Sequence, residues 1–174
     1  YDGDGKADIA VYRATEGNWY ISRSSDGAGS LVFWGGVEFT PVPGDFDGDG
    51  KADLYVFSGS GWSVPYLAML KSTGTELKFR NRYEGNAPGW QMRKNDEHWV
   101  SDINGDGKAD LFVYNHNDWA HEYLGTMLST GAALNCSSVQ DWVGEWNLGS
   151  VDKFIPCNYE GAAGQRDLFV HNKD

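Results

Sequence analysis

Short apolar runs bounded by turn residues recur along the chain and predict strands. Runs of this kind lie at 9–12, 54–57, 111–114 and 168–170. A short, continuous apolar run with glycine or aspartate at its borders is typical of a strand buried on both faces. No stretch shows the sustained 3.6-residue apolar period of an amphipathic helix. The pattern therefore predicts an all-β chain.

Further apolar segments follow these runs after polar turns. They share aromatic and aliphatic residues flanked by glycine, serine or charged residues, and they lie at 19–21, 31–34, 66–70, 77–79, 123–128 and 139–143. Each of these segments predicts an additional strand. The chain thus consists of groups of about four short strands.

The groups are copies of one repeat. Asp-Gly-Asp-Gly-Lys-Ala-Asp at 2–8 recurs at 47–53, and again at 104–110 with asparagine in first place. The final aspartates are 53 − 8 = 45 and 110 − 53 = 57 residues apart, and another 57 residues lead to Asp167, which again precedes Leu-Phe-Val. Units of this length with about four strands match the blades of a β-propeller.

We therefore predict about three four-stranded antiparallel repeats within one repeat region, 1–174. The approximate units are 1–45, 46–102 and 103–159, with 160–174 beginning a further unit. Propellers close with four to eight blades. We expect either a larger propeller or several copies that complete a ring. An independent three-blade domain is the alternative, although it would leave sheet faces and edges unprotected.

The acidic loops between strands predict metal sites. The loop at 45–53 has carboxylates at its positions 1, 3, 5 and 9 and glycine at positions 4 and 6. Alternate residues of a tight loop can converge on one point, and Ca²⁺ takes six to eight oxygen ligands. The predicted ligands are Asp45, Asp47, Asp49, Asp53 and the backbone carbonyl of Lys51.

Two other loops follow the same pattern. The loop at 102–110 has an amide in place of one carboxylate, and its predicted ligands are Asp102, Asn104, Asp106, Asp110 and the carbonyl of Lys108. The loop at 2–8 lacks position 1, and its predicted ligands are Asp2, Asp4, Asp8 and the carbonyl of Lys6. Without a cation, so many carboxylates would repel one another. A solvated acidic turn is the alternative.

An EF-hand shares the opening spacing of these loops. It requires a bidentate glutamate at position 12 and a helix on either side. Position 12 is Val56 in one complete loop and Val113 in the other, each within a strand-like run. The flanking sequence therefore excludes the EF-hand, and a dockerin-type duplicated loop fails for the same reason.

The repeat resembles the FG-GAP/VCBS family. The resemblance rests on the segments 44–53, 101–110 and 1–8, and it extends over nearly the whole chain. It implies propeller blades of the kind found in integrin α-subunits and many secreted bacterial proteins, with calcium bound by the loop between outer strands of a blade. The family's Phe-Gly…Gly-Ala-Pro segment is not preserved, and 33–36 is at most a vestige.

The fourth unit departs from the pattern. The segment 155–167 keeps the final aspartate but not the regular alternation of acidic residues. Asn158, Glu160 and Asp167 are its only candidate ligands.

The charge and composition exclude several classes of protein. With 14 basic and 25 acidic residues the net charge is −11, and the pI of about 4.6 argues against a nucleic-acid partner. No apolar run approaches the 18 residues of a membrane span. A hydrophobic fraction of 40% excludes intrinsic disorder.

The cysteines bear on the cellular compartment. Loops of this kind suit millimolar extracellular calcium, so we expect a secreted or cell-surface protein in which a disulfide could persist. Cys136 and Cys157 are the only cysteines and are predicted to pair, with two buried free thiols as the alternative. Asn135 begins a glycosylation sequon that matters only in a eukaryotic secretory pathway.

Aromatic residues divide into two groups. Trp19, Trp62 and Trp119 recur in phase with the repeat and are predicted to pack between blades. Trp99, Trp142 and Tyr159 are out of phase and are the candidates for ligand binding, since aromatic faces stack on sugar rings.

No catalytic motif stands out. The four histidines form no recognisable metal pair, and no acidic pair is singled out for glycoside cleavage. We expect no catalysis within this segment. The sequence predicts a propeller segment with structural Ca²⁺ that takes part in adhesion or recognition of a protein or glycan. The alternatives are a carbohydrate-binding accessory region of a secreted hydrolase and a self-assembling propeller subunit.

Overall fold

Antiparallel strands make up all the regular secondary structure in the described part of the chain. The structure, a computed structural model, describes residues 1–58, 66–84, 90, 96–115, 123–140, 142–143, 146–149, 152–157, 159 and 167–171. Within these residues there is no helix, and therefore none long and apolar enough to cross a membrane. The predicted all-β class is confirmed.

The strands form successive antiparallel sheets. The first sheet contains β1 (Ile9–Arg13), β2 (Asn18–Ser22) and β3 (Gly29–Phe33); the second contains β4 (Phe39–Gly44), β5 (Asp53–Ser58), β6 (Tyr66–Ser72) and β7 (Leu77–Glu84). The third contains β8 (Glu97–Ser101), β9 (Asp110–Asn115), β10 (Tyr123–Ser129) and β11 (Leu134–Gln140). A short pair follows, β12 (Trp142–Val143) with β13 (Trp146–Asn147), and the fourth sheet pairs β14 (Lys153–Cys157) with β15 (Asp167–His171).

The two complete acidic loops each connect the first strand of a sheet to the second, and the loop at 2–8 precedes β1. Gly44 pairs with Asp53 across the base of one loop, and Ser101 pairs with Asp110 across the next. The first strands contact one another from sheet to sheet, β4 with β8 and β8 with β14. The chain runs through each sheet in sequence order and begins with the strand that contacts the neighbouring sheets. The loops therefore join the first two strands of a sheet, and the expectation that they lie between outer strands is wrong.

The first strands are the elements that the apolar pattern missed. β4 contains Pro41 and Pro43, which cannot donate to a strand ladder and are tolerated at a sheet edge. β8 is at most partly buried, and only Trp99 and Val100 of its five residues are apolar, so it has no apolar run of the length seen in the central strands. The strand predicted at 139–143 also differs, because β11 begins at Leu134 and ends at Gln140.

Side chains on both faces of each central strand are buried between sheets. Leu54 and Val56 of β5 face the first sheet, where they pack with Trp19. Tyr55 and Phe57 face the third sheet. Because successive side chains point to opposite faces of a strand, this two-sided packing produces the continuous apolar runs seen in the sequence.

The core between the second and third sheets is the largest. Its buried members are Val42, Phe46, Tyr55, Phe57, Leu67, Met69, Trp90, Leu111, Val113, Met127 and Leu134. The core between the third and fourth sheets is smaller, and its buried members are Phe112, Tyr114, Leu124 and Phe154. Trp19 is buried and stacked on Tyr12, as predicted, while Trp62 and Trp119 lie outside the described residues.

Apolar side chains remain exposed on the two end sheets. Ile9 of β1 is 69% exposed, although Leu54 at the equivalent position of β5 is buried. Phe33 of β3 is 77% exposed. At the other end, Ile155 and Phe169 of the fourth sheet are more than half exposed. Ile9 and Phe169 correspond to Leu54 and Phe112, which pack against a neighbouring sheet in the interior.

The predicted disulfide is absent. Cys136 and Cys157 are free thiols in the structure. Cys136 lies on β11, the last strand of the third sheet, whereas Cys157 lies on β14, which adjoins the first strand of that sheet. The width of the sheet therefore separates the two thiols.

Candidate metal centres in the blade loops

Three carboxylates converge in the loop that joins β4 to β5. Asp45, Asp47 and Asp49 each offer an oxygen, and the three oxygens lie within 4.8 Å of one another. Asp2, Asp4 and Asp8 form the same kind of group in the loop before β1. The spacing predicted from the sequence is thus realised as two clusters of potential ligands.

Hydrogen bonds to Asp45 wind its loop. The Asp45 carboxylate accepts the backbone N–H groups of Gly48 at 2.8 Å, Asp49 at 3.1 Å and Gly50 at 2.9 Å. Gly48 and Gly50 have φ values of 78° and 83°, a conformation that side chains with a Cβ rarely adopt. The alternation of aspartate and glycine is therefore what folds the loop around a point.

The loop between β8 and β9 folds in the same way. Asp102 accepts the N–H groups of Gly105 at 2.8 Å, Asp106 at 3.1 Å and Gly107 at 2.9 Å. Asn104 takes the place of Asp47, and its side-chain oxygen accepts the N–H of Asp106 at 3.0 Å. An amide oxygen is thus presented where the other loop presents a carboxylate.

The last aspartate of each complete loop is buried and ties the loop to the third strand of its sheet. Asp53 Oδ1 accepts the N–H of Ser72 at 2.8 Å, and Asp110 Oδ1 accepts that of Ser129 at 2.7 Å. Asp110 Oδ2 also accepts the N–H of Ile103 at 2.9 Å. These aspartates therefore stabilise the loop directly, whatever else they bind.

Asp53 retains one carboxylate oxygen without a partner. Its Oδ2 is buried and makes no hydrogen bond among the described residues. Burial, and then the charges of Asp47, Asp49 and Asp45, raise the pKa of Asp53 to about 6. A buried oxygen without a partner beside three other carboxylates fits a hard divalent cation, which would satisfy the oxygen and neutralise the charge.

Lysine side chains occupy the loops as well. The predicted ligands Lys51 and Lys108 donate their backbone N–H to Asp49 at 3.0 Å and to Asp106 at 2.9 Å. Their ammonium groups lie 3.3 Å and 2.9 Å from the same two carboxylates. Reasoning from the sequence assigned these lysines only a backbone role.

Adjacent loops are bonded to each other. The N–H of Ala109 in the third sheet's loop donates to the carbonyl oxygen of Asp45 in the second sheet's loop at 2.7 Å. The hydroxyl of Ser72 donates to the carbonyl of Tyr1 at 2.8 Å. An ion in one loop would thus act on the boundary between two sheets.

Comparison with known proteins identifies the repeat. The family described as FG-GAP-like repeat matches residues 1–56 and 45–113, which together cover the first 113 of the 174 residues. This chain belongs to the FG-GAP-like repeat family. A search of curated proteins finds no match.

A solved structure supports the propeller architecture of this FG-GAP-like chain. It is a lectin from Agrocybe aegerita that recognises non-reducing terminal N-acetylglucosamine, superposed with a TM-score of 0.59 at 20% sequence identity. The alignment covers 97% of this chain but 44% of the lectin, so the chain spans less than half the length of that protein. At this identity the likeness shows the fold, and it confirms the predicted propeller blades.

The fourth FG-GAP-like unit keeps only part of the loop. Asp167 accepts the backbone N–H of Tyr159 at 2.7 Å, as Asp110 accepts that of Ile103. The other two candidates of this unit, Asn158 and Glu160, lie outside the described residues. Asp167 thus retains the structural contact of the repeat.

The predicted aromatic ligand residues Trp99 and Tyr159 have different surroundings in the structure. Trp99 packs on Phe154 with ring centroids 5.1 Å apart and belongs to the core between the third and fourth sheets. Tyr159 is 83% exposed. Trp142 lies in the short strand β12, and its side chain is outside the described residues. Of these, Tyr159 presents a free ring to solvent.

Proposed function

We propose that the chain is a calcium-binding β-propeller segment of a secreted or cell-surface protein, with a structural metal and a role in adhesion or recognition. The observation that supports it most directly is the buried, unpartnered Oδ2 of Asp53 beside the converging oxygens of Asp45, Asp47 and Asp49. A structural cation accounts for this arrangement better than a solvated turn, because a solvated turn would use Asp53 Oδ1 but would leave the buried Oδ2 without a partner.

Several residues of each loop would coordinate the ion together. In the loop at 45–53 the four aspartates would supply carboxylate oxygens, and Ca²⁺ would neutralise their charge. The Ala109–Asp45 hydrogen bond joins this loop to the next one. An ion at a concentration 100 times its dissociation constant adds about 2.7 kcal/mol to the free energy of unfolding. Calcium would therefore stabilise the packing of successive blades.

Calorimetric titration tests this proposal. Metal-free protein titrated with CaCl₂ should bind at least two ions, one for each complete loop. Asp49→Ala and Asp106→Ala should each remove one of them, whereas Glu76→Ala, an exposed carboxylate in a β6–β7 turn that pairs with Lys78, should remove none. No heat of binding at millimolar calcium, together with an unchanged melting curve, would refute the calcium site.

Glycan recognition is the second candidate, as it would be in an accessory region of a secreted hydrolase with its catalytic residues elsewhere. A polar cleft of about 500 Å³ lies between the first loop and the β6–β7 turn. It is lined by Asp2, Gly3, Asp4, Arg23, Ser25, Asp26, Thr73, Gly74 and Thr75. Carboxylates, hydroxyls and a guanidinium are the groups that orient sugar hydroxyls, and the superposed fold belongs to a lectin.

A glycan array with and without chelator tests this candidate. Because Asp2 and Asp4 belong both to the cleft and to a predicted metal cluster, we expect binding to depend on calcium. Binding that survives chelation would place the glycan elsewhere, with the exposed ring of Tyr159 as the next candidate. No binding to any glycan would leave a protein ligand as the object of recognition.

The exposed faces of the end sheets support a covering by another blade of the same type. Ile9 and Val11 occupy the positions at which Leu54 and Val56 contact the neighbouring sheet. Sedimentation of the 174-residue chain tests whether a second copy supplies that blade. Assembly should be lost in Val11→Asp, whereas a monodisperse monomer would favour blades of a longer chain.

A further inference from the structure

Two positions of the repeat change in step from one repeat to the next. The residues that precede the serine bonded to the last loop aspartate are Arg23, Lys71 and Leu128. The residues at loop position 3 are, in the same order, Asp2, Asp47 and Asn104. Where loop position 3 is a carboxylate, the residue before the serine is a cation, and where loop position 3 is a neutral amide, that residue is aliphatic.

In the second sheet these two positions are in contact. The ammonium group of Lys71 pairs with Asp47 Oδ2 and lies 3.3 Å from Asp49 Oδ2. Both carboxylates are predicted calcium ligands, so the ammonium group contacts oxygens that an ion would need. Lys71 thus occupies part of the space that a cation would take.

The two complete loops have equal net charge despite their differences at these two positions. In the loop at 45–53, four carboxylates with Lys51 and Lys71 give −4 + 2 = −2. In the loop at 102–110, three carboxylates with Lys108 give −3 + 1 = −2, and Leu128 adds none. The additional carboxylate of the second sheet therefore comes with its own counter-charge.

We propose that Lys71 is a resident counter-cation of the 45–53 loop, which competes with Ca²⁺ for Asp47 and lowers the affinity of that loop. This inference rests on the proposed calcium function. In the metal-free chain Lys71 stabilises the loop by pairing with Asp47. When an ion binds, its two positive charges displace the single charge of the ammonium group from the carboxylates.

In the first loop, the residue equivalent to Lys71 does not pair with a predicted calcium ligand. Arg23 is the equivalent of Lys71, but its guanidinium group donates to Asp26 at 3.1 Å and 2.8 Å. Its charge is therefore engaged by a carboxylate outside the loop, whereas Lys71 pairs within the loop. Each sheet thus has a different environment for its predicted ion.

Titration of a single loop tests the proposal. The variant Asp4→Ala/Asp106→Ala leaves one intact loop, and Ca²⁺ binding to it is measured by calorimetry with Lys71, with Lys71→Leu and with Lys71→Gln. Because exposed ion pairs contribute modestly, we expect both substitutions to raise the affinity about three- to tenfold. Lys78→Leu is the matched control: Lys78 lies beside Lys71 on β7, pairs with Glu76 and carries the same charge.

The outcomes are distinct. A rise in Ca²⁺ affinity with Lys71→Leu and Lys71→Gln, but not with Lys78→Leu, supports competition at Asp47. Equal affinity in all variants, or a fall, overturns the inference while the calcium function stands; a fall would mean that Lys71 orients Asp47 for the ion. No binding in any variant overturns both. In EDTA, Lys71→Leu should lower the melting temperature more than Lys78→Leu, and an equal effect would also count against a resident counter-cation.

Discussion

The hydroxyl of Ser129 donates a hydrogen bond to the carbonyl oxygen of Phe46 at 2.6 Å, across the boundary between the second and third sheets. The backbone N–H of the same serine donates to Asp110 at 2.7 Å. Ser72 makes the equivalent pair of bonds, to Tyr1 and Asp53. In the second and third sheets, one serine therefore fixes its own acidic loop and bonds to the preceding one.

Replacement of Ser129 by alanine should destabilise the protein by about 1–3 kcal/mol, because the buried carbonyl of Phe46 loses its partner. Urea denaturation measures the change in the free energy of unfolding. Ser138→Ala is the control, since within the described residues its hydroxyl bonds to Thr126 of the same sheet and both groups are partly buried. Equal losses for the two variants would contradict a special role for the bond between sheets.

Gly125 on β10 should not tolerate a side chain. A Cβ at this position would lie 2.6 Å from the ring of Trp90, which is buried and held by a hydrogen bond from its Nε1 to Asp96 at 3.3 Å. Gly125→Ala should therefore cost about 1–3 kcal/mol through overpacking. Gly29→Ala on β3 is the matched control, because its nearest neighbour would be 3.9 Å away. Similar midpoints of denaturation for both variants would show that Trp90 moves aside freely.

Chelation should lower the melting temperature of the protein. We expect Asp49→Ala and Asp106→Ala each to reduce the difference between the melting curves in calcium and in EDTA, by an amount equivalent to about 2–3 kcal/mol at saturating calcium. Differential scanning calorimetry at fixed pH provides the measurement. A full calcium shift in the double variant would locate the ion outside these two loops.

His98 should make stability depend on pH. Burial lowers its pKa to about 4, and its Nε2 has no hydrogen-bond partner in the described part of the chain. The unfolded state, with a histidine pKa near 6.5, binds a proton more readily than the folded state. The contribution of His98 to stability is therefore fully present above about pH 6.5 and is lost as the pH falls toward 4.

Comparison of His98→Gln with the unmodified protein isolates this contribution. The unfolding free energy of the variant, measured by urea denaturation between pH 4 and 7.5, should fall less steeply as the solution is acidified. His171→Gln, which changes an exposed histidine on β15, should leave the slope as it was. Parallel curves for His98→Gln and the unmodified protein would show that the pKa of His98 is the same in the folded and unfolded states.

The sequence alone was enough to predict the repeat, the all-β class and the loop residues that converge. These features depend on short spacings, because alternation of aspartate and glycine over nine residues both winds a loop and aims its oxygens. The apolar runs were equally informative, since Leu54 and Tyr55 belong to strands packed on both faces. Membership of the FG-GAP-like family agrees with the resemblance drawn from the same loops.

Only the tertiary structure determined the first strand of the second sheet and the contacts between distant residues. The strand β4 was hidden by Pro41 and Pro43, which are compatible with its place at a sheet edge but give no strand signal. The contact of Lys71 with Asp47 joins residues 24 apart, and that of Ser129 with Phe46 joins residues 83 apart. The thiols of Cys136 and Cys157 are separated because their strands lie at different edges of the sheets. Local patterns specify strands and loops, whereas the stacking of sheets determines which distant side chains meet.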